Sequence, residues 1–363
     1  MTDTIANAAA PSAAAKIAAA RAKISLGQTT LNEGVAELLA ATAPVVEPPK
    51  EEPKPPVSGP VTMVKTLAAL TTALKAAKAG EVIELAAGEY GAYSLKGLIA
   101  PGVTVRAAGA KVTGLVLTAC EGIAFEGLSA DLAAGGVVRL DGCKDIDLIR
   151  LTSRNAKYYG VSILRSQDVR VIEADIADVK DGVQGANSRG VLVERCKIRR
   201  FRADGINMCG VSDLKVIGND VSESAATPTA HPDGLQLHTA SADAPAENIE
   251  VIGNTFRRGA GQKFQGVFIT DQTDGAKRYR NVVIRENLIE GGMWNGVMVA
   301  NADNVELTGN TVQPYTDMDS WIRIASCSGV RMERNAYTKL VLEGVNPGLV
   351  QRDKATLSAI AAR

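Results

Sequence analysis

Three aspartates in the middle of the sequence have a spacing that could support acid–base chemistry. Asp181, Asp204 and Asp233 are each followed by a glycine and an aliphatic residue, at intervals of 23 and 29 residues. In a chain that repeats at about this interval they would be stacked, so that one carboxyl group could donate a proton while its neighbour attacks or activates water. Carboxylates so close destabilise one another unless they are protonated, metal-bound or hydrogen-bonded. The pattern therefore favours function over the alternative that each aspartate only caps a turn.

Amide side chains accompany these aspartates. Gln184, Asn207 and Gln236 stand two residues beyond the three glycines. In an alternating strand they project outward, opposite to the aliphatic residues on either side. Amides are suitable hydrogen-bond partners for sugar hydroxyls. We expect a substrate-binding face beside the acids, which His238 continues in the third repeat.

A second, less regular set of polar residues comes before the aspartates. Arg202, His231 and Lys263 occupy equivalent positions in three repeats, although the loops there differ in length. The spacing predicts that His231 assists the acids and that the two cations bind substrate. Trp294 directly precedes Asn295, which extends the aspartate column, and it is expected at one end of the substrate-binding face.

The residues above acquire a common register from a repeat that covers most of the chain. Glycines followed by aliphatic residues recur at Gly136, Gly160, Gly182, Gly205, Gly234, Gly266 and Gly296. A second strand with alternating polarity recurs at 169–172, 191–194, 214–217, 249–252, 282–285 and 305–308. A period of this kind predicts an all-β, right-handed, single-stranded parallel β-helix, in which each turn of the chain forms one rung and rungs stack ~4.8 Å apart.

Two further residue types are assigned to the scaffold. An asparagine recurs after the second strand, at Asn219, Asn254, Asn287, Asn310 and Asn335, with Cys196 and Asp175 placed in the same column of earlier rungs. Stacked asparagines hydrogen-bond along the axis and tolerate a left-handed backbone. The five cysteines contain no CxxC pair and are read as buried, reduced residues.

Composition divides the chain into four segments. Residues 1–45 are rich in alanine with helical spacing and are predicted to be a helical attachment segment. Residues 46–60 form a proline-rich linker. Residues 61–348 hold the β-helix, with a capping helix from about Leu67 to Ala79. Residues 349–363 are predicted to be a C-terminal cap containing a short amphipathic helix.

The overall charge excludes some partners. Lys plus Arg and Asp plus Glu both number 40, so the net charge is zero and neither nucleic acid nor a membrane is expected as partner. The N-terminus lacks the pattern of a Sec signal peptide. A protein with these features is expected in the cytoplasm, exported by another route, or on a virus particle.

Two stretches carry a resemblance to a known family. The segment TLAALTTALKAAKAGEVIELAAGEYG resembles the capping helix and first coil of pectate-lyase-like β-helices. HPDGLQLH resembles the strands that form the active groove in that family and in phage tailspike proteins. The resemblance implies a virion-borne polysaccharide depolymerase that forms a homotrimer. The Asn-Thr-Asp, Asp-Asp and Gly-His-Gly set of polygalacturonases and the Trp-Ile-Asp-His strand of pectate lyases are absent, so the reaction is left open.

Three functions follow as hypotheses. The first is glycosidic hydrolysis of a surface polysaccharide, with Asp204 and Asp233 as the catalytic pair, helped by Asp181 and His231, and without a cofactor. The second is a lyase, in which His231, Arg202 or Lys263 removes a proton and Ca²⁺ binds the three aspartates. The third is a fibre that binds a glycan without cleaving it.

Overall fold

The computed structural model describes residues 61–345, except residue 228, and the backbone of Ala355–Thr356. It confirms the parallel β-helix: three stacks of parallel strands form the walls, and successive strands in each stack come from successive rungs. We name the stacks sheets A, B and C and number the strands in chain order. The predictions for residues 1–45 and 46–60 lie outside the described residues.

Sheets A and B have twelve strands each, and sheet C has eleven. Sheet A comprises β1 (Val61–Val64), β2 (Val82–Leu85), β5 (Ile99–Arg106), β8 (Glu121–Glu126), β11 (Lys144–Ile149), β14 (Gln167–Ile172), β17 (Arg189–Glu194), β20 (Ser212–Ile217), β23 (Glu247–Ile252), β26 (Tyr279–Arg285), β29 (Ala302–Thr308) and β32 (Ser328–Glu333). Sheet B comprises β3 (Gly88–Glu89), β6 (Ala110–Val112), β9 (Ser129–Asp131), β12 (Thr152–Arg154), β15 (Asp175–Ala177), β18 (Lys197–Arg199), β21 (Asp220–Ser222), β24 (Thr255–Arg257), β27 (Leu288–Glu290), β30 (Thr311–Gln313), β33 (Ala336–Tyr337) and β35 (Ala355–Thr356). Sheet C comprises β4 (Ala92–Lys96), β7 (Gly114–Thr118), β10 (Val138–Asp141), β13 (Tyr159–Leu164), β16 (Asp181–Ala186), β19 (Ile206–Cys209), β22 (Asp233–His238), β25 (Gln265–Thr270), β28 (Trp294–Ala300), β31 (Ser320–Ala325) and β34 (Leu340–Glu343).

The core is a column of aliphatic side chains enclosed by the three sheets. In sheet C, Val183, Ile206 and Leu235 are completely buried and lie in register from one rung to the next. Their neighbours in sequence point outward, as the alternation predicts. The repeat therefore fixes which side chains of sheet C face solvent.

A helix covers the first rung. Helix α1 (Leu67–Ala76) begins after Thr66, whose hydroxyl accepts a hydrogen bond from the Ala69 amide at 3.1 Å. Leu70 and Leu74 are buried against the strands. The helix ends at Ala76 rather than near Ala79, because the backbone is already extended at Ala77.

The asparagine column forms the expected ladder at the turn from sheet A to sheet B. Asn254 illustrates the pattern: its Oδ1 accepts from the Asn219 amide at 2.9 Å, and its Nδ2 donates to the Val216 carbonyl at 2.8 Å. Two details of the prediction are wrong. The left-handed residue is the one before each asparagine, such as Gly253. Asp175 does not belong to the column, because it pairs with Lys197 in sheet B.

The predicted C-terminal helix is absent at the two residues of its range that the structure describes. A short amphipathic helix was expected over residues 351–363, yet Ala355–Thr356 form β35 and pair with β33. The other residues of the segment 349–363 lie outside the described residues. An isolated apolar spacing therefore does not decide between a helix and one more strand of the solenoid.

Candidate functional site

The three aspartates do form a column, at the corner where the chain enters sheet C. Tyr159 pairs with Asp181, and Asp233 pairs with Gln265, so the column has the predicted members. The glycines that follow are required by packing. A Cβ on Gly205 would lie 2.6 Å from the carbonyl oxygen of Gly234 in the next rung, a distance that carbon atoms do not tolerate.

Hydrogen bonds along the axis connect the aspartates. Oδ1 of Asp181 accepts from the Asp204 amide at 3.0 Å, and Oδ1 of Asp204 accepts from the Asp233 amide at 2.9 Å. The ladder continues because Gln265 Nε2 donates to Oδ1 of Asp233 at 2.8 Å. The aspartates therefore also hold adjacent rungs together, which is part of the turn role that the sequence left as an alternative.

The Oδ2 atoms of Asp204 and Asp181 have different surroundings. Oδ2 of Asp204 accepts from Asn207 Nδ2 at 2.7 Å, whereas Oδ2 of Asp181 lies 3.5 Å from Lys180 Nζ. Burial raises the pKa of Asp204 to about 6, against the hydrogen bond from Asn207. Burial and then the charge of Asp204 raise the pKa of Asp233 well above its ordinary value. Burial thus favours the protonated form of both adjacent carboxyl groups.

The amide residues form a connected network on the outer face of sheet C. Asn207 is its centre, because its Nδ2 also donates to Gln236 Oε1 at 2.9 Å and its Oδ1 lies 3.2 Å from His238 Nε2. Gln184 continues the column below and accepts from Ser162 at 2.9 Å. The predicted column of outward-facing amides therefore exists, and Asn207 connects it to Asp204; substrate binding by this face stays a prediction.

The residues of the second set do not converge on the acids. Arg202 Nη2 donates to the carbonyl oxygens of Ala156 and Lys157 at 2.8 and 3.1 Å, which holds the preceding loop. Lys263 Nζ forms a 3.0 Å ion pair with Asp317. The contacts of both cations are thus with loops and not with the aspartate column. Both residues lie in loops, where the direction of a side chain is set by the local turn and not by the strand register.

His231 instead stacks on Trp294. The two ring centroids lie 5.3 Å apart with an interplanar angle of 31°. Trp294 is 40% exposed and has a left-handed backbone with φ of 40°, which is strained for a bulky side chain. Strain of this kind clusters at functional sites. An exposed indole next to the acid column can stack against the face of a sugar ring.

One residue of this face was missed in the sequence. Cys209 lies opposite His238 in adjacent strands of sheet C and within 3.4 Å of Ser241 Oγ. Both Cys209 and His238 follow their aspartate by five residues, so extending the column alignment along the strand would have paired them. The other four cysteines belong to the scaffold as predicted from sequence, since they are buried and have no histidine partner in the register.

The three aspartates do not fit the proposed calcium site. Their Oδ1 atoms accept from backbone amides or from Gln265, and Oδ2 of Asp204 is bonded to Asn207. Among residues 61–227 and 229–345, no group of three or more His, Cys, Asp or Glu residues is arranged to hold a metal ion. The same part of the chain has no helix of the length and apolarity needed to cross a membrane.

Comparisons with known proteins agree with the architecture. A family model described as "Right handed beta helix region" matches residues 135–312. The surface adhesin PfbA of Streptococcus pneumoniae superposes with a TM-score of 0.58 at 9% identity, covering 81% of this chain and 82% of the adhesin. No curated protein sequence matches significantly.

Enzymes with the same type of fold are also similar. The A-module of the mannuronan C-5 epimerase AlgE6 of Azotobacter vinelandii gives a TM-score of 0.48 at 10% identity, covering 79% and 82% of the two chains. The pectate lyase Pel9A gives 0.42 at 13% identity, covering 84% and 82%. Such identities show the fold alone. The chain is thus a right-handed parallel β-helix protein.

Proposed function

We propose that the protein binds a polysaccharide along the outer face of sheet C and hydrolyses it with Asp204 and Asp233. The observation that carries the proposal is the pair of adjacent carboxyl groups, both with raised pKa values, beside an amide-lined face. Asp204, with a pKa of about 6, is largely ionised at neutral pH, while burial and the charge of Asp204 favour the protonated form of Asp233. One carboxylate nucleophile and one acid are what retaining glycosidic cleavage needs.

The expected separation of the two carboxyl groups favours a particular stereochemistry. Adjacent strands stand ~4.8 Å apart, and carboxyl separations of about 5 Å suit a retaining mechanism. Asp204 then attacks the anomeric carbon and Asp233 protonates the leaving oxygen. Asp181 assists by holding the Asp204 amide, and His231 supports the indole of Trp294 against which a sugar ring stacks.

A non-enzymatic glycan receptor is the second candidate, and burial of the acids favours it. Asp204 is 8% exposed and Asp233 only 1% exposed, and Oδ1 of each already accepts a hydrogen bond. Such groups could serve the rung ladder alone while the amides and Trp294 bind the sugar. The lyase is less favoured, because Arg202 and Lys263 are engaged in other contacts.

The setting of the site is a further part of the proposal. The layout of an alanine-rich N-terminus, a proline-rich linker and a β-helix supports a phage tailspike protein that docks on the virion through residues 1–45. Within this proposal the chain assembles as a homotrimer. Light scattering of the purified full chain tests the assembly, since a monomer mass contradicts the trimer without bearing on the glycan site.

Incubation with bacterial capsular and other surface polysaccharides tests the proposed activity. Size-exclusion chromatography and reducing-end assays should show shorter products with the wild type and none with Asp204→Asn or Asp233→Asn. Asp303→Asn is the control, because Asp303 is an ion-pair partner of Arg278 at another part of the fold. If the wild type and both active-site variants bind a polysaccharide equally well and none of them cleaves it, the protein is a glycan receptor and not a hydrolase.

Calcium and the sugar platform give two additional tests. EDTA should leave the rate unchanged, because the aspartate oxygens are occupied by protein hydrogen bonds. Trp294→Ala should weaken glycan binding about tenfold, since stacking on an aromatic ring contributes roughly 1–1.5 kcal/mol. Products with an unsaturated uronate absorbance, or activity restored only by Ca²⁺, would indicate a lyase instead.

A further inference from the structure

The outer face of sheet C contains a thiol and an imidazole in adjacent strands. Cys209 ends β19, and His238, which ends β22, is its partner in the register. Cys209 is 4% exposed, and Ser241 in the following loop contacts its sulfur at 3.4 Å. The thiol and the imidazole therefore occupy matching positions of adjacent strands, and the loop after His238 contacts the sulfur.

An amide orients the imidazole. His238 Nε2 lies 3.2 Å from Asn207 Oδ1, so the opposite nitrogen, Nδ1, is directed away from Asn207. Nδ1 is buried and has no hydrogen-bond partner within the described residues. An imidazole whose second nitrogen is free in this way can accept the proton of a neighbouring thiol.

The environment stabilises the thiolate of Cys209. Burial opposes ionisation, but the neighbouring imidazole of His238 and then the hydroxyl of Ser241 lower the pKa of Cys209 to about 7. Nδ1 of His238 makes no hydrogen bond to the sulfur or to another described residue. The effect of the imidazole on the thiolate is therefore electrostatic.

A second buried group is electrostatically linked to the same thiol. Tyr279 is 1% exposed, and its hydroxyl has no hydrogen-bond partner among the described residues. Burial raises the pKa of Tyr279 far above its ordinary value, and the charge of Cys209 is the next cause. The unpaired phenol of Tyr279 therefore belongs to the buried surroundings of the thiol.

Other charged groups near the thiol are already paired. Asp271 accepts a hydrogen bond from Thr239 next to His238, and its pKa is lowered by bonds from Thr239 and Thr273 despite some burial. Lys277 Nζ donates to the carbonyl of Ala242. Among the neighbouring side chains, His238 makes the largest contribution that lowers the pKa of the thiol.

We infer that Cys209, with His238 as proton acceptor and Asn207 as its orienting partner, is a nucleophilic thiolate site that takes small disulfides. The thiolate attacks one sulfur of the disulfide, a bond forms between that sulfur and Sγ, and the original S–S bond breaks. The departing thiolate takes the proton held by His238. The disulfide is the oxidant, so no further reactant is required. The inference does not depend on glycan hydrolysis.

The other cysteines provide an internal comparison. Cys327 is more exposed than Cys209, at 7% against 4%, yet burial raises its pKa. Cys143 lowers the pKa of Cys120 to about 6, but Cys120 is only 1% exposed and no histidine contributes there, so Cys120 should stay unmodified. If Cys209 reacts in preference to Cys327, the greater exposure of Cys327 cannot be the reason. Only the reactivity of Cys209 should depend on His238.

Mass spectrometry of the folded full chain tests the inference. Oxidised glutathione at pH 7 should add one glutathione at Cys209 and none at Cys327, and iodoacetamide labelling of Cys209 should be half-maximal near pH 7. His238→Gln should slow labelling of Cys209 at pH 7 by about tenfold, because the thiol returns toward an ordinary pKa near 8.5. Cys209→Ser should abolish the adduct, whereas Cys327→Ser should leave it unchanged.

Three results would overturn the inference. These are a glutathione adduct that favours Cys327, an iodoacetamide midpoint above pH 8 in the wild type, and a Cys209 rate that His238→Gln does not alter. The pH dependence of Cys209 labelling in the wild type tests the inference even if His238→Gln does not fold. All three measurements concern the Cys209 thiol and can be made whether or not the protein hydrolyses a glycan. Failure of one proposal therefore does not imply failure of the other.

Discussion

Replacing Asp204 by asparagine should stabilise the protein at neutral pH, because the native carboxylate is ionised in a buried site. Its pKa rises from 3.8 to about 6 on folding, mainly through burial. A raised carboxyl pKa gives stability that is complete below pH 3.8 and is lost as the pH increases through about 6. Two pKa units correspond to about 3 kcal/mol, which the wild type loses between these values.

The amide of Asp204→Asn avoids this loss and keeps its Oδ1 available for the Asp233 amide. We expect the free energy of unfolding at pH 7 to increase by roughly 1–3 kcal/mol, the lower value applying where the contact with Asn207 is disturbed. Asp303→Asn is the matched control with the opposite sign, since Arg278 lowers the pKa of Asp303 to about 2.

Urea unfolding between pH 3.5 and 8 at constant ionic strength, followed by tryptophan fluorescence, measures the effect. The wild type should lose stability through the pH window of 3.8 to 6, and Asp204→Asn should lose less than the wild type over the same interval. A wild type equally stable at pH 4 and pH 7, with Asp204→Asn less stable at pH 7, would refute the reasoning. It would mean that Asp204 serves the ladder alone.

Further predictions concern the scaffold and the reaction. Gly205→Ala should destabilise the fold by about 1–3 kcal/mol, because a Cβ there lies 2.6 Å from the Gly234 carbonyl oxygen; Gly91→Ala, with open space around it, is the control in urea unfolding. Asn254→Ala should lower the free energy of unfolding by roughly 2–4 kcal/mol, because the buried amide of Asn219 and the carbonyl of Val216 lose their partner. Thermal unfolding measures the loss, with a variant of the exposed Asn248 as the control. The initial rate of glycan hydrolysis should increase with pH through about 6, as Asp204 ionises; a rate that falls across this range would contradict its role as the nucleophile.

The register of the site was predictable because the repeat is regular in sheet C. A glycine that cannot carry a Cβ marks the same corner in each rung, so counting from it places Asp204 above Asp181 and Gln236 above Asn207. The strands of sheet B escaped prediction because most are only three residues long. A three-residue strand shows too little alternation to be recognised.

The failures occur where side chains leave the strand register. Arg202 and Lys263 stand in loops of different lengths, so equal offsets from the acid column do not imply a shared direction. The pKa values of Asp204 and Asp233 depend on burial, which spacing does not reveal. Cys209 was predictable in principle, because it and His238 occupy the same position of adjacent strands.

Proton NMR of a polysaccharide substrate during digestion gives the most direct test of the central claim. The wild type should produce a new anomeric signal whose first-formed configuration is that of the cleaved linkage, because Asp204 and Asp233 stand in adjacent rungs. Asp204→Asn should produce no new signal. An inverted first product, an olefinic proton from elimination, or equal cleavage by Asp204→Asn would contradict the proposed retaining acid–base pair.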